Sequence, residues 1–290
     1  MLTVQIIDIG ESMGTPIYTW EEAIELMRDH PEHKEIVYDA YLTRDLVRNA
    51  ERFASSLEFH EVLKLVREYC PNAESVLDVP SGNGIATYAF SNSGFEVTAV
   101  EPDGSGTLGR GAINQLLFST KQEAKVVDAF GEDLPFPDNS FDVVYVRQGL
   151  HHAENLEKMI SEYYRVLHSG GILLACREHV VDNKKESLRA FLDSQVDHQL
   201  YGGENAFLLR EYLSAIEDSG FRKLMPIEPY DSPINLHPNT PETIEKKILE
   251  TKIGKYLSKC LPRKIVSRIG MWALKRSKRP GRLYSFIAVK

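Results

Sequence analysis

From residue 75 onward the chain alternates short apolar runs with longer stretches whose apolar residues recur at helical spacing. Runs at 75–79, 96–101, 125–128, 141–147 and 171–177 read as strands, and the segments between them as helices. Strands that alternate with helices predict a parallel, doubly wound sheet, and right-handed crossovers then bring the functional loops to the strands' carboxyl ends. Ahead of this unit, residues 20–70 read as helices, with Ala23, Ile24 and Met27, then Leu57, Val62, Leu65 and Val66, each on one face. Behind it, Asn205 precedes an amphipathic helix through Leu208, Leu209, Tyr212, Leu213 and Ile216, ended by Gly220. An antiparallel hairpin of 223–227 with 282–289 is expected to finish the sheet, with a long insertion between its two strands. The predicted class is α/β: a Rossmann-like doubly wound sheet, mostly parallel with an antiparallel final strand. The expected layout is an N-terminal helical cap (1–70), a core (71–240), a basic helical insertion (241–280) and a last core strand (281–290).

Chemistry enters at Val76-Leu77-Asp78-Val79-Pro80-Ser81-Gly82-Asn83-Gly84, a strand ending in a carboxylate and running into a glycine turn. A second strand closes on Glu101, making a β-α-β unit suited to a nucleoside. Glycines let the backbone approach a ligand closely, and an acid about 20 residues beyond the turn can accept both ribose hydroxyls. A dinucleotide reading fits less well, because Thr87 stands where a third glycine would be.

Two further blocks follow: Asp128-Ala129-Phe130 through Phe141-Asp142-Val143-Val144 into Leu150-His151-His152-Ala153, and Glu162-Tyr163-Tyr164-Arg165-Val166-Leu167 through Gly170-Gly171-Ile172-Leu173-Leu174. In order and spacing they resemble the class I S-adenosylmethionine (SAM) methyltransferases, especially the branch with quinone-biosynthesis enzymes, across roughly residues 60–180. The resemblance implies SAM as cofactor. Asp78 and the backbone at Gly82 and Gly84 would face its methionine end and ribose, and Glu101 the ribose hydroxyls. Asp128 would meet the adenine amino group with Ala129 beside the ring, and Gln148 would back the sulfonium. Pro80 departs from the family's usual glycine; it fixes φ and removes a donor beneath the methionine portion, so a SAM-binding module that transfers no methyl is the alternative. The N-terminal helices would cap the ligands, with Tyr38, Tyr41, Arg52 and Phe53 as candidates for facing them.

Methyl transfer from a sulfonium is an in-line displacement in which positioning supplies much of the rate, and a base is needed only if the acceptor loses a proton. Polar residues gather after successive strands: Arg147, His151 and His152 after the fourth, and Arg177, Glu178 and His179 after the fifth. A polar triplet ending an apolar strand is costly to bury and lies where ligands bind. His151 or His179 is the expected base, with Glu178 and Arg177 beside them. His198, Tyr201, Glu204 and Asn205, and then Tyr230, Asp231 and Asn235, are further acceptor-side candidates. No metal site is expected: no HxxxH or HxH spacing occurs, and adjacent His151 and His152 should point apart. Arg177-Glu178-His179, Tyr201-Gly202-Gly203-Glu204-Asn205 and the C-terminal strand more loosely resemble bacterial methyltransferases of surface-polysaccharide biosynthesis, which implies a sugar hydroxyl as acceptor.

With 290 residues, 42% of them hydrophobic, the chain suits one large domain with additions. No apolar stretch is long enough to span a membrane, Met1 to Glu11 lack a signal-peptide layout, and three scattered cysteines suggest a reducing cytoplasm. Charge is divided unevenly: residues 241–290 carry 14 Lys and Arg against 3 Asp and Glu, whereas 1–240 carry 20 against 39. The acidic body argues against a nucleic-acid partner. In 241–279, Ile244, Ile248, Leu257, Leu261, Ile265, Ile269 and Trp272 recur among lysines and arginines, with Gly254 and Pro262 expected to break the helix. Such a segment either lies on the inner, anionic face of a membrane or packs against the body as a lid.

Overall fold

In a computed structural model, which describes residues 18–290, the apolar runs pair into one eight-stranded sheet; the expectation for Met1 to Glu11 lies outside the described residues. The strands are β1 (Ser75–Asp78), β2 (Glu96–Val100), β3 (Lys125–Val127), β4 (Phe141–Arg147), β5 (Leu167–Val181), β6 (Phe207–Leu208), β7 (Lys223–Ile227) and β8 (Arg282–Val289). Their order is β3-β2-β1-β4-β5-β8-β7, with β6 on the far end of β5. All pairings are parallel except those of β8, which runs antiparallel to both β5 and β7. Strand order reverses between β1 and β4, so a crevice opens at their carboxyl ends.

Alternation along the strands explains the two-sided burial. Leu77, Val79, Val144, Val146, Leu173 and Ala175 face one layer, with Ile160 and Tyr163 of the helix Leu156–Val166 and Tyr212 and Ile216 of the helix Leu209–Asp218. Val76, Val143, Tyr145, Ile172, Leu174 and Cys176 face the other, against Phe53 of the helix Leu46–Ala54, Phe59, Val62 and Val66 of the helix Leu57–Tyr69, and Phe90 of the helix Ile85–Asn92. Each such aliphatic side chain contributes about 1.5–3 kcal/mol by leaving water.

Two elements differ from expectation. β5 runs beyond 171–177 in both directions because antiparallel pairing with β8 carries it to Val180, bulging between Ala175 and Glu178. Residues 207–208 add a short strand to its end, so the following helix starts at Leu209 rather than after Asn205, and Glu211 accepts the Leu208 N–H at 2.7 Å.

In the helix Leu57–Tyr69, Ser56 caps the N-terminus by accepting from Phe59 N–H at 3.1 Å. Glu58 falls on the same face as Phe59, Val62 and Leu65 and is 1% exposed. Arg147, at the end of β4, donates to its two oxygens from Nε at 2.7 Å and Nη2 at 3.2 Å, and Arg177 Nε lies 3.9 Å away. Burial works against the charge, but the two guanidiniums outweigh it and hold Glu58 below the ordinary carboxylate value. Arg177 also donates to the carbonyls of Ile234 and His237, both at 3.0 Å. One buried carboxylate thus joins the cap to β4, β5 and the root of the insertion.

The insertion forms the helices Pro241–Glu250, Lys252–Leu257 and Arg263–Lys275. The first break falls at Thr251 rather than Gly254, which lies inside the second helix; Pro262 caps the third. Leu236, Ile244 and Ile248 with Tyr230, Met271 and Leu274 make a small core of their own. Ile253, Tyr256, Ile265, Ile269 and Trp272 remain exposed.

Removing Glu58 leaves two buried guanidiniums uncompensated. Glu58→Ala should destabilise the protein by about 3–5 kcal/mol, whereas the paired replacement Glu58→Leu with Arg147→Met should cost much less. Denaturant melts of the two variants check this; equal losses would mean that the charges are not coupled.

Candidate active site

The cofactor side is built at the ends of β1 and β2. After Asp78 the chain passes through a cis Val79–Pro80 bond into the turn, with Gly82 at φ +53° and Gly84, the cap of the helix Ile85–Asn92, at φ +83°. Both conformations favour glycine. A Cβ on Gly84 would also stand 3.1 Å from the Ile113 side chain. Pro80 has a local partner: a Cβ on Gly149 would lie 2.4 Å from the proline Cδ, so the ring fills space that Gly149 leaves open.

Glu101 occupies the expected place and ties the two strand ends together. Its Oε2 accepts the Gly82 N–H at 2.7 Å and its Oε1 the Asp103 N–H at 3.0 Å. Each carboxylate oxygen has a second acceptor site, so a diol can still be received. Asp78 accepts the Thr87 hydroxyl at 2.6 Å. Burial pushes both carboxyls up to about 7, against these hydrogen bonds.

Asp128 is not free as expected: Arg110 Nη2 pairs with it at 2.7 Å while Nη1 donates to the carbonyls of Glu101 and Pro102. A guanidinium therefore stands at the edge assigned to the adenine amino group. Ala129 packs half-buried on the core, and Phe130 beside it is an exposed aromatic that sequence reasoning passed over. Gln148, at φ +52°, turns its Oε1 to Arg147 Nη1 at 3.2 Å.

On the acceptor side, the bulge in β5 puts Arg177 at φ +64° and turns Glu178 inward. Glu178 accepts from Gly149 N–H at 3.0 Å, His151 N–H at 3.1 Å and His151 Nδ1 at 2.8 Å. It positions the loop after β4. Arg177 is likewise a structural clamp, given its carbonyl partners. Burial opposes the charge on His151, but Glu178 and Glu204, the latter 3.4 Å from Nε2, prevail and push it up to about 9. An imidazole that keeps its proton at neutral pH does not serve as base, which corrects that expectation. His179 donates Nδ1–H to the Gly281 carbonyl at 3.0 Å; burial and the neighbouring His151 charge bring it down to about 4, so it is neutral with Nε2 as acceptor.

The two adjacent histidines do not diverge. The 3-10 turn Leu150–His152 sets their rings 4.2 Å apart, both near Glu204. Glu204 lies in the loop after the short helix Val196–Tyr201, which carries Asp197 and leans on the helix Trp20–Asp29 through the rings of Tyr201 and Trp20, 4.7 Å apart. Burial and Glu204 push Asp197 up to about 6. Other candidates are structural: Tyr41 and Phe53 lie in the core, Arg52 stacks on Tyr38, Asn235 accepts from Ser285, and Asp231 pairs with Lys275.

Residues 77–175 match the family described as methyltransferase domain. This segment is a class I, SAM-dependent type of methyltransferase domain. The ubiquinone/menaquinone biosynthesis C-methyltransferase UbiE of Psychromonas ingrahamii is 32% identical over 126 residues, 41% of this chain and 49% of that one. An uncharacterised protein of Methanocaldococcus jannaschii is 31% identical over 104 residues, 36% and 49% of the two chains. The chain thus spans about half the length of these curated relatives. Among solved structures, phosphoethanolamine N-methyltransferase 2 of Haemonchus contortus, in complex with phosphomonomethylethanolamine and S-adenosylhomocysteine, superposes with TM-score 0.57 at 17% identity, covering 94% of this chain and 61% of that one. The [4+2]-cyclase SpnF gives 0.52 at 17% identity, covering 79% and 80%. Both share the fold.

Because the folded values of Glu101 and Asp78 are raised, their contribution to stability is full below their ordinary values, near 4.5 and 3.8, and is lost as pH rises through about 7. Ligand-free Glu101→Gln should therefore lose melting temperature less steeply than the parent between pH 5 and 8. Parallel curves would mean that Glu101 ionises at its ordinary value.

Proposed function

We propose that this protein transfers a methyl group from SAM to a hydroxyl of a polar small molecule, a sugar being the acceptor that best suits the site. The observation that carries the reading is the chemistry at the mouths of β4 and β5, where His151, His152, Glu178, His179, Asp197 and Glu204 converge. A flat quinone asks for an apolar, aromatic pocket, whereas a ring of hydroxyls asks for this density of donors and acceptors. On the cofactor side, Glu101, the Gly82–Gly84 turn and Asp78 would hold SAM, which supplies a methyl already activated by its sulfonium. The carbon–sulfur bonding pair stays with sulfur, the acceptor oxygen forms the new bond, and its proton must leave. His179 is the group suited to take it, being neutral with a free Nε2. The fit of Pro80 against Gly149 supports a working loop of altered path rather than a degenerate one.

Incubation with SAM and a panel of free and nucleotide-linked sugars, followed by mass spectrometry, should show acceptors heavier by one methylene and a matching yield of S-adenosylhomocysteine. His179→Ala should lose turnover by about 10²–10⁴-fold with SAM affinity intact. Tight SAM binding with no product from any hydroxyl acceptor, but product from a quinone, would replace the hydroxyl by a carbon acceptor.

We further propose that the insertion docks on an anionic lipid surface. Ile253, Tyr256, Ile265, Ile269 and Trp272 are exposed among Lys252, Lys255, Lys259, Arg263, Lys264 and Arg268, and an apolar face ringed by cations gains from both burial in the headgroup region and attraction to acidic lipids. No helix among the described residues is long and apolar enough to cross a membrane. Co-sedimentation should require anionic vesicles, weaken with salt and fail in Trp272→Ser with Ile269→Ser. Absence of binding at low salt overturns it.

A further inference from the structure

We propose that His151, His152 and Glu204, at the mouths of β4 and β5, form a site for a borderline divalent cation such as Zn²⁺, Co²⁺ or Fe²⁺. His151 Nε2 lies 3.4 Å from one oxygen of Glu204 and His152 Nε2 lies 3.9 Å from the other, and one ligand atom from each of the three falls within 4.8 Å of the rest. A metal bound at about 2.0–2.1 Å with tetrahedral angles sets its ligand atoms about 3.4 Å apart, so small side-chain shifts close the sphere.

The ring nitrogens away from the site carry the argument further. Histidines that bind metals characteristically donate the other N–H to a carboxylate or a carbonyl, which fixes the tautomer and aims the lone pair. His152 Nδ1 has the Gly203 carbonyl at 3.1 Å, and His151 Nδ1 has Glu178, itself fixed by two backbone N–H groups. Both Nε2 atoms are thereby presented toward Glu204, and on His151 the metal would replace the Nε2 proton that Glu204 otherwise receives. The surroundings favour a dication as well: Glu178, Glu204 and Asp197 are three buried or half-buried carboxylates around two imidazoles. Two imidazoles and one carboxylate suit Zn²⁺, Co²⁺ or Fe²⁺ better than Mg²⁺, Ca²⁺ or Mn²⁺, which prefer oxygen ligands. His151 is buried, Glu204 half-buried and His152 exposed, so the remaining coordination positions are reached from the His152 side. On the methyltransferase reading above, a sugar hydroxyl placed there would be polarised by the cation and give up its proton more readily. Metal binding itself does not depend on that reading.

The full chain, stripped with chelator, is titrated with Co²⁺ and followed by its visible d–d absorption, with SAM affinity measured in parallel by calorimetry. A background variant, His33→Ala, first removes the exposed His30, Glu32 and His33 group, which has similar spacing. In that background one Co²⁺ should bind per chain with a four- or five-coordinate spectrum, displaced by Zn²⁺. His152→Ala and Glu204→Gln should each abolish the band while leaving the SAM affinity of the metal-free protein near that of the parent, which also shows that the variants are folded. No stoichiometric band, or one that survives both substitutions, overturns the site and leaves His151 as an imidazolium bridging two carboxylates. Loss of SAM binding in the parent would instead strike the methyltransferase reading and leave the metal result standing.

Discussion

The position of everything above the sheet depends on the buried carboxylate of Glu58. Its partners come from the ends of β4 and β5, and Arg177 reaches on to the backbone at Ile234 and His237, so four segments distant in sequence meet at one charge. Two guanidiniums against one carboxylate leave an excess cation inside the protein, and Arg177 Nε has no hydrogen-bond partner. An arrangement of this kind adds little net stability over an apolar one. What it supplies is a tie between parts: the helix Leu57–Tyr69, the ends of β4 and β5 and the backbone at Ile234 and His237 are fixed to one another through polar contacts.

Much of this was legible in the sequence because parallel strands buried on both faces announce themselves as apolar runs, and because an acid closes the second strand at a regular interval from the glycine turn. β4, β7 and β8 appear at their expected bounds, and Glu101 lies beside the glycine turn, accepting the Gly82 N–H. Glu58 was missed: Leu57 was expected on the buried face, but Leu57 is exposed and Glu58, four residues before Val62 and seven before Leu65, takes that place on the apolar stripe. The behaviour of the histidines was not legible either. His151 is set by Glu178 and Glu204, residues brought beside it by a bulge in β5 and by a loop after it, and neither separation follows a secondary-structure period. The Arg110–Asp128 pair is hidden for the same reason, as it spans a helix and a strand.

The two halves of the site differ in kind. Glu101, Asp78 and the glycine turn lie on the sheet's own strand ends, inside the segment shared with the methyltransferase family. Glu178, His179, Asp197 and Glu204 lie beyond residue 175, on a bulged strand end and on a short helix with the loop after it, propped against the first helix through Tyr201 and Trp20. Family likeness therefore informs the cofactor half far more than the acceptor half.

β8 fills a gap between β5 and β7, yet it follows the insertion in the chain. Until it docks, both neighbours present unpaired backbone edges of the kind that recruit strands from other molecules. Closing the sheet requires the ends of a long intervening segment to be brought together first, and such non-local pairing is slow. The small core of the insertion, where Ile244 and Ile248 meet Met271 and Leu274, draws the third helix back toward the end of β7 and shortens that search. In this light the basic helices do more than decorate the fold: their packing bridges the exit of β7 and the approach to β8, so that the strand that closes the sheet is delivered beside the edge it pairs with.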